Sequence, residues 1–169
     1  KKVTHCLTCG LGIDYESVPS YTFMVTIFDD GPENYHDTGI LSVNILDENE
    51  PPWLVLESLM TRSSPPQPFR VVENSPGGTL VGTPIVAEDQ DDRSILTFSI
   101  DPVSDPGKRF QIHQLEDLSY PFRAQISVSH LSRCDGRTTC IDYEEQQEYS
   151  LEVVVMDSFG AKHRARVPV

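Results

Sequence analysis

The sequence predicts an all-β fold of antiparallel sandwiches, and three observations predict it. Apolar residues alternate in short runs: Tyr21, Phe23, Val25 and Ile27 share one parity, as do Tyr149, Leu151, Val153 and Val155. Side chains of one parity lie on one side of a strand, so each run offers one face to a core. Turn formers separate the runs, at Asp30-Gly31-Pro32, Ser75-Pro76-Gly77-Gly78 and Asp105-Pro106-Gly107. No long window repeats its apolar residues at the spacing of a helix, and SHLSRCDG and EEQQEY are short and polar.

Taken in order, the remaining strands are expected at Ile40 to Leu46, Trp53 to Glu57, Thr79 to Ala87, Leu96 to Ile100, Phe122 to Val128 and Ala161 to Val169. Many short strands at this spacing argue for sandwiches, and the stiff Pro51-Pro52 pair marks a boundary between them. With 169 residues, 38% of them hydrophobic, the chain is long enough for one large core or two small ones and too apolar to be intrinsically disordered.

A repeat decides between one core and two. IDYESVPSYTFMVTIFD, residues 13 to 29, returns as IDYEEQQEYSLEVVVMD, residues 141 to 157, with seven of 17 positions identical. The offset is 128 residues, and at the same offset Cys6 falls on Cys134. Long-period self-similarity is the mark of a repeat array. The expected organisation is therefore residues 1–50 as the later half of one unit and residues 51–169 as a second, nearly complete unit.

Charge narrows the partners. The formal net charge is −13, from 26 acidic and 13 basic side chains, so a polyanion such as nucleic acid is repelled and cations are the expected partners. No apolar run approaches the roughly 18 residues of a membrane helix. A membrane is expected only through segments outside this sequence. Cys6, Cys9, Cys134 and Cys140 form two local pairs, which fits disulfides in an oxidising compartment. Free thiols and a zinc site at Cys6-x-x-Cys9 beside His5 remain open, although no second C-x-x-C matches the first.

The acids fall at strand ends. Asp14 and Glu16 precede a strand and Asp29 follows it; Asp47, Glu48, Asn49 and Glu50 end the next; Asp89 and Asp91 end another. Strand ends of a sandwich gather at two poles, so groups distant in sequence can meet. Two like charges about 4 Å apart repel by roughly 4 kcal/mol at an effective dielectric near 20. No Lys or Arg lies between Lys2 and Arg62 to offset this. A hard divalent cation with six to eight oxygen ligands answers the same demand, and calcium fits best.

In this order, D-Y-E, an aromatic alternating strand, D, D-x-N-E-P-P, V-x-E-N-S-P-x-G-T and A-x-D-x-D, the motifs resemble the extracellular cadherin repeat over almost the whole chain. The resemblance implies seven-stranded Greek-key sandwiches stacked end to end, the first truncated, with up to three Ca2+ ions at each junction. It implies that Asp14 and Glu16, the linker residues Asp47, Glu48 (through its carbonyl), Asn49 and Glu50, and Asp89, Asp91 and Asp157 serve one junction. Glu73, Asp142 and Glu144 would serve the next, and Asp29 the preceding one. The family's linker reads D-x-N-D-N-x-P, whereas Glu50 here stands for Asp and no second Asn follows. Either Pro51 takes that place with its carbonyl or the linker is one residue short.

The resemblance further implies an extracellular cell-adhesion segment, part of the ectodomain of a plasma-membrane protein, whose partners are other cadherin-type ectodomains, homophilic or heterophilic. The alternative is a calcium-stiffened tether in matrix, cilium or cell coat without homophilic adhesion. No enzyme is expected: paired carboxylates such as Asp14 and Glu16 look equivalent, where acid–base catalysis on a sugar needs two distinct environments. Ser58 and Ser64 lack a nucleophile-elbow context. Trp53 reads as a packing residue, the histidines as solvated or packing side chains, and none of the four Asn residues begins an N-glycan acceptor.

Overall fold

The computed structural model describes residues 12–33, 35–55, 67–91, 95–115, 122–130 and 141–169. The four cysteines and His5 lie outside the described residues, so the disulfide, thiol and zinc readings do too. The chain divides into two compact units, Lys1–Asn49 and Glu50–Val169. Among the described residues there is no helix.

The first unit is built on a hairpin. Strands β1 (Ser20–Phe28) and β2 (His36–Asn44) pair antiparallel, in register from Ser20 opposite Asn44 to Phe28 opposite His36. Strand β2 begins earlier than the expected Ile40. His36, Asp37 and Thr38 carry no apolar alternation, but each finds a backbone partner across the hairpin in Phe28, Ile27 and Thr26. The Thr26 and Thr38 hydroxyls meet across the strands at 3.2 Å, and Asp29 N–H donates to the Tyr35 carbonyl at 2.9 Å to close the connection.

Seven strands make the second unit: β3 (Trp53–Leu54), β4 (Leu80–Glu88), β5 (Thr97–Ile100), β6 (Phe110–Gln114), β7 (Phe122–Val128), β8 (Ser150–Met156) and β9 (Lys162–Pro168). They form two sheets, β3-β4-β7-β6 and β5-β8-β9, with every neighbouring pair antiparallel. The chain changes sheet between β4 and β5, between β5 and β6 and between β7 and β8, which is the Greek-key wiring of a sandwich.

The core lies between the sheets. Val81, Ile85, Ala87, Ile126 and Val128 of one sheet face Leu151, Val153, Val155 and Val167 of the other, all buried, and Phe110 meets Tyr149 edge-on at 5.0 Å. Burial of this kind, near 25 cal/mol per Å² of apolar surface, is what holds the two layers together. Burial also pushes the Tyr149 phenol above its ordinary pKa.

Strand β6 was not expected from the sequence, because FQIHQ shows only two apolar residues among polar ones. It exists through its partner: Phe110 to Gln114 pair with Val128 to Ala124 of β7. The buried Asp105 carboxylate starts it by accepting Arg109 N–H at 3.0 Å and Phe110 N–H at 2.8 Å.

Strand β4 carries a bulge between Val81 and Ile85. Gly82 sits there at φ 68°, and a Cβ on it would lie 2.3 Å from the Phe69 ring, so both the backbone and the space demand glycine. The buried Gln125 amide donates to the Val81 and Ile126 carbonyls, each at 3.0 Å, and satisfies acceptors that the bulge withdraws from the ladder.

Candidate metal centres

In the first unit the D-Y-E segment forms a turn ahead of β1. Val18 N–H donates to the Asp14 carbonyl at 3.0 Å, and the Asp14 carboxylate accepts the Ser17 hydroxyl at 2.7 Å and the Ser17 N–H at 3.4 Å. These bonds, the Ser17 hydroxyl first, hold the Asp14 carboxyl below the ordinary carboxylate range. Glu16 moves the other way. Its own backbone N–H pulls its pKa down, but desolvation, the hydrogen bond shared with Asp14 and the charges of Asp47 and Asp14 together outweigh that pull and raise it. A carboxylate oxygen of Glu16 and one of Asp47 lie within 4.8 Å of each other. Glu16 is thus a carboxylate held in a field of other carboxylates. Asp29 stands at the far end of β1, where its Oδ1 accepts Gly31 N–H at 3.3 Å, and it is not brought to Asp14 or Glu16.

In the second unit the acids gather at both poles. At the pole where the chain enters, β4 ends and β8 ends, and the loop after β4 leads into β5, whose Thr97 pairs with Met156. Asp89 and Asp157 follow those two strands, and both are buried, at 7% and 3% exposure. Asp157 Oδ1 accepts Phe159 N–H at 2.8 Å and Ala161 N–H at 2.9 Å, a turn like that at Asp29. Asp89 Oδ1 accepts Asp91 N–H at 2.9 Å, and Asp91 Oδ2 in turn accepts Glu50 N–H at 3.1 Å. This chain of bonds ties the start of the unit to the D-x-D loop.

Asp89 Oδ2 at this pole is buried and has no hydrogen-bond partner among the described residues. A buried acceptor left without a donor costs about 1–3 kcal/mol, and more when it is charged. Such an atom fits a metal-ligand oxygen, and the acids at this pole, Asp89, Asp91, Glu50 and Asp157, all offer hard oxygens of the kind that suit calcium.

The opposite pole holds Glu73, Asp142 and Glu144, each with a carboxylate oxygen within 4.8 Å of the others. Glu73 reaches them although it stands far away in sequence, because Asn74 N–H donates to the Ile141 carbonyl at 2.8 Å and Tyr143 N–H donates to Glu73 Oε2 at 3.3 Å. The turn repeats that of the first unit: Gln146 N–H donates to the Asp142 carbonyl at 3.0 Å, and Asp142 Oδ1 accepts Glu144 N–H at 3.1 Å. The carboxylates at this separation repel by about 1 kcal/mol per pair even in water-like surroundings. Of the linker residues, Asp47 and Glu48 are exposed, while Asn49 and Glu50 are half-buried.

Solved structures share this architecture. The protocadherin gammaB4 extracellular domain matches 94% of the chain, at TM-score 0.58 and 24% identity, with the chain spanning 21% of that structure. The fold is that of cadherin extracellular repeats. Mouse cadherin-23 EC22-24 matches 94% of the chain at TM-score 0.56 and 23% identity, the chain spanning 44% of it. The cadherin resemblance read from the motifs agrees with a curated relative, human protocadherin-23, which is 28% identical over 148 residues, 86% of this chain. The chain spans 4% of that protein's length. No family model matches the chain.

Sequence reasoning singled out these acids but missed two polar side chains that shape the cadherin sandwich. Gln125 stitches the β4 bulge, and His163 accepts a backbone hydrogen bond from Leu54 at 3.1 Å. No motif marks either residue.

Proposed function

We propose that the chain is a calcium-binding segment of an extracellular cell-adhesion protein, in which calcium rigidifies the junction between two cadherin repeats, residues 1–50 and 51–169. The observation that carries this reading is Asp89 Oδ2, a buried carboxylate oxygen without a donor among the described residues, in a loop whose next acid already holds the linker backbone at Glu50. Calcium, when bound, supplies the positive charge and the coordination that these oxygens lack.

The chain's own residues do the rest. Asp14 and Glu16 contribute from the turn before β1; Asp47, Glu48, Asn49 and Glu50 from the linker; Asp89, Asp91 and Asp157 from the second repeat. Glu73, Asp142 and Glu144 belong to the following junction and Asp29 to the preceding one. Pro51 and Pro52 restrict the linker, so fewer conformations are lost when the joint is ordered. No catalytic role is assigned, and the partners are other cadherin-type ectodomains outside the cell, on a protein held to the plasma membrane by segments beyond this sequence.

Small-angle scattering during a calcium titration tests the reading. The radius of gyration and maximum dimension should change from those of two loosely tethered bodies to those of an extended rod. Identical scattering in calcium and in chelator overturns it. Beads bearing the whole ectodomain then separate adhesion from a pure spacer, since only an adhesive protein clusters them.

A further inference from the structure

The first strand of the second unit is fastened on two sides by different chemistry. Val55 N–H points to β4 and donates to the Val86 carbonyl at 2.9 Å, while Trp53 and Leu54 pair with Glu88 and Ala87. Successive N–H groups of a strand point in opposite directions, so Leu54 N–H points away from β4. There it meets the other sheet and donates to His163 Nδ1 of β9 at 3.1 Å. Leu54 is 2% exposed, so water cannot replace this acceptor while the strand stays in place.

An imidazole nitrogen that accepts an N–H carries no proton, so the neutral ring of His163 bears its proton on Nε2. Protonation adds a proton to Nδ1, the atom that holds Leu54. The imidazolium is a donor at both nitrogens, and two donors then face each other at a buried position. We propose that His163 is a pH-sensitive clasp for strand β3: the neutral ring holds the strand across the gap between the two sheets, and the protonated ring releases it. Because β3 follows Pro51 and Pro52 directly, release lengthens the free path of the chain where it enters the unit.

The charged groups around the ring come from several elements. On β8, Val155 stands opposite His163, and Asp157 lies two residues further along the same face, its Oδ1 engaged by Phe159 and Ala161 N–H. On β4, Glu88 pairs with Trp53 beside Leu54. On β9 itself, Lys162 and Arg164 flank His163 with the opposite parity, and Arg164 is bonded to Asp101 and Glu152. A substitution at position 163 leaves all of these in place.

Trp53 is the only tryptophan and sits in β3 at 38% exposure, so its fluorescence reports on the strand directly. The experiment spans about pH 8 to about pH 5, the range over which histidine side chains as a class change charge. The experiment follows Trp53 emission and amide hydrogen exchange at Leu54 and Ile126 in the full chain, in calcium and in chelator, with exchange rates corrected for intrinsic pH dependence. In the parent protein, Trp53 emission should shift red on acidification and Leu54 protection should fall about tenfold or more, the Ile126 amide staying protected. His163→Gln retains a neutral acceptor and should abolish the pH dependence, while His163→Ala should leave Leu54 weakly protected at both extremes. The clasp is overturned if Leu54 protection in the parent is constant across the window, if His163→Gln keeps the same transition, or if Leu54 and Ile126 open together. A transition seen in calcium but absent in chelator assigns the effect to metal release and overturns it as well.

Discussion

Asp89→Asn should reverse the order of stability between metal-free and calcium-loaded protein. The substitution keeps Oδ1, which accepts Asp91 N–H at 2.9 Å, and replaces the buried Oδ2, which has no partner among the described residues, by a neutral amide nitrogen. An unpaired buried acceptor costs about 1–3 kcal/mol, and a charged one more than a neutral amide. In chelator the variant should therefore be the more stable protein by at most about that amount, and for a unit of this size each kcal/mol corresponds to roughly 3–5 °C in Tm. In calcium the parent gains from ligand linkage, about 2.7 kcal/mol for a site at one hundred times its Kd, whereas the variant has lost a charge and an oxygen ligand. Differential scanning calorimetry of both proteins under both conditions measures the four values. The two Tm values should cross on adding calcium. If the parent is the more stable in chelator and calcium raises both proteins equally, Asp89 Oδ2 is not a metal ligand and the argument from its burial fails.

Other changes test the frame around the site. Gly82→Ala should destabilise the second unit by about 2 kcal/mol or more in urea unfolding, since the αL conformation alone costs about 1–2 kcal/mol for an L-residue and the new methyl must also displace the buried Phe69 ring. Gln125→Ala strands the Val81 and Ile126 carbonyls and should cost about 1–3 kcal/mol in the same assay; an unchanged midpoint would show that the bulge needs no stitching. Leu151→Ala, at a fully buried position between the sheets, should cost about 2–5 kcal/mol. Asp101 has its pKa lowered by Val103 N–H and by Arg164, so its contribution to stability is complete above the unfolded carboxylate pKa and disappears as pH falls through the lowered value. Asp101→Asn should flatten the acid limb of the stability profile there, and an unaltered limb would argue against that linkage.

Much of this could be read along the chain because the relevant physics is local. Alternation with period two determines which side chains share a face, and it does so identically for Phe23, Val25 and Ile27 in the first unit and for Leu151, Val153 and Val155 in the second. The D-Y-E turn is equally local: Asp14 and Asp142 each fold their own next few residues through backbone and carboxylate bonds, so the motif specifies its shape wherever it occurs. The placing of the acids at strand ends is likewise legible in the sequence.

What the tertiary structure alone decided is which groups lose water, because burial depends on the partner that chain topology delivers. Leu151, Val153 and Val155 are fully buried because an opposing sheet lies over them. Strand β6 forms because β7 offers it a ladder, Glu73 joins Asp142 because Asn74 binds the Ile141 carbonyl, and His163 becomes a clasp because β3 crosses the gap beside it. In each case the decisive contact joins residues far apart in sequence, and a linear pattern carries no record of that distance.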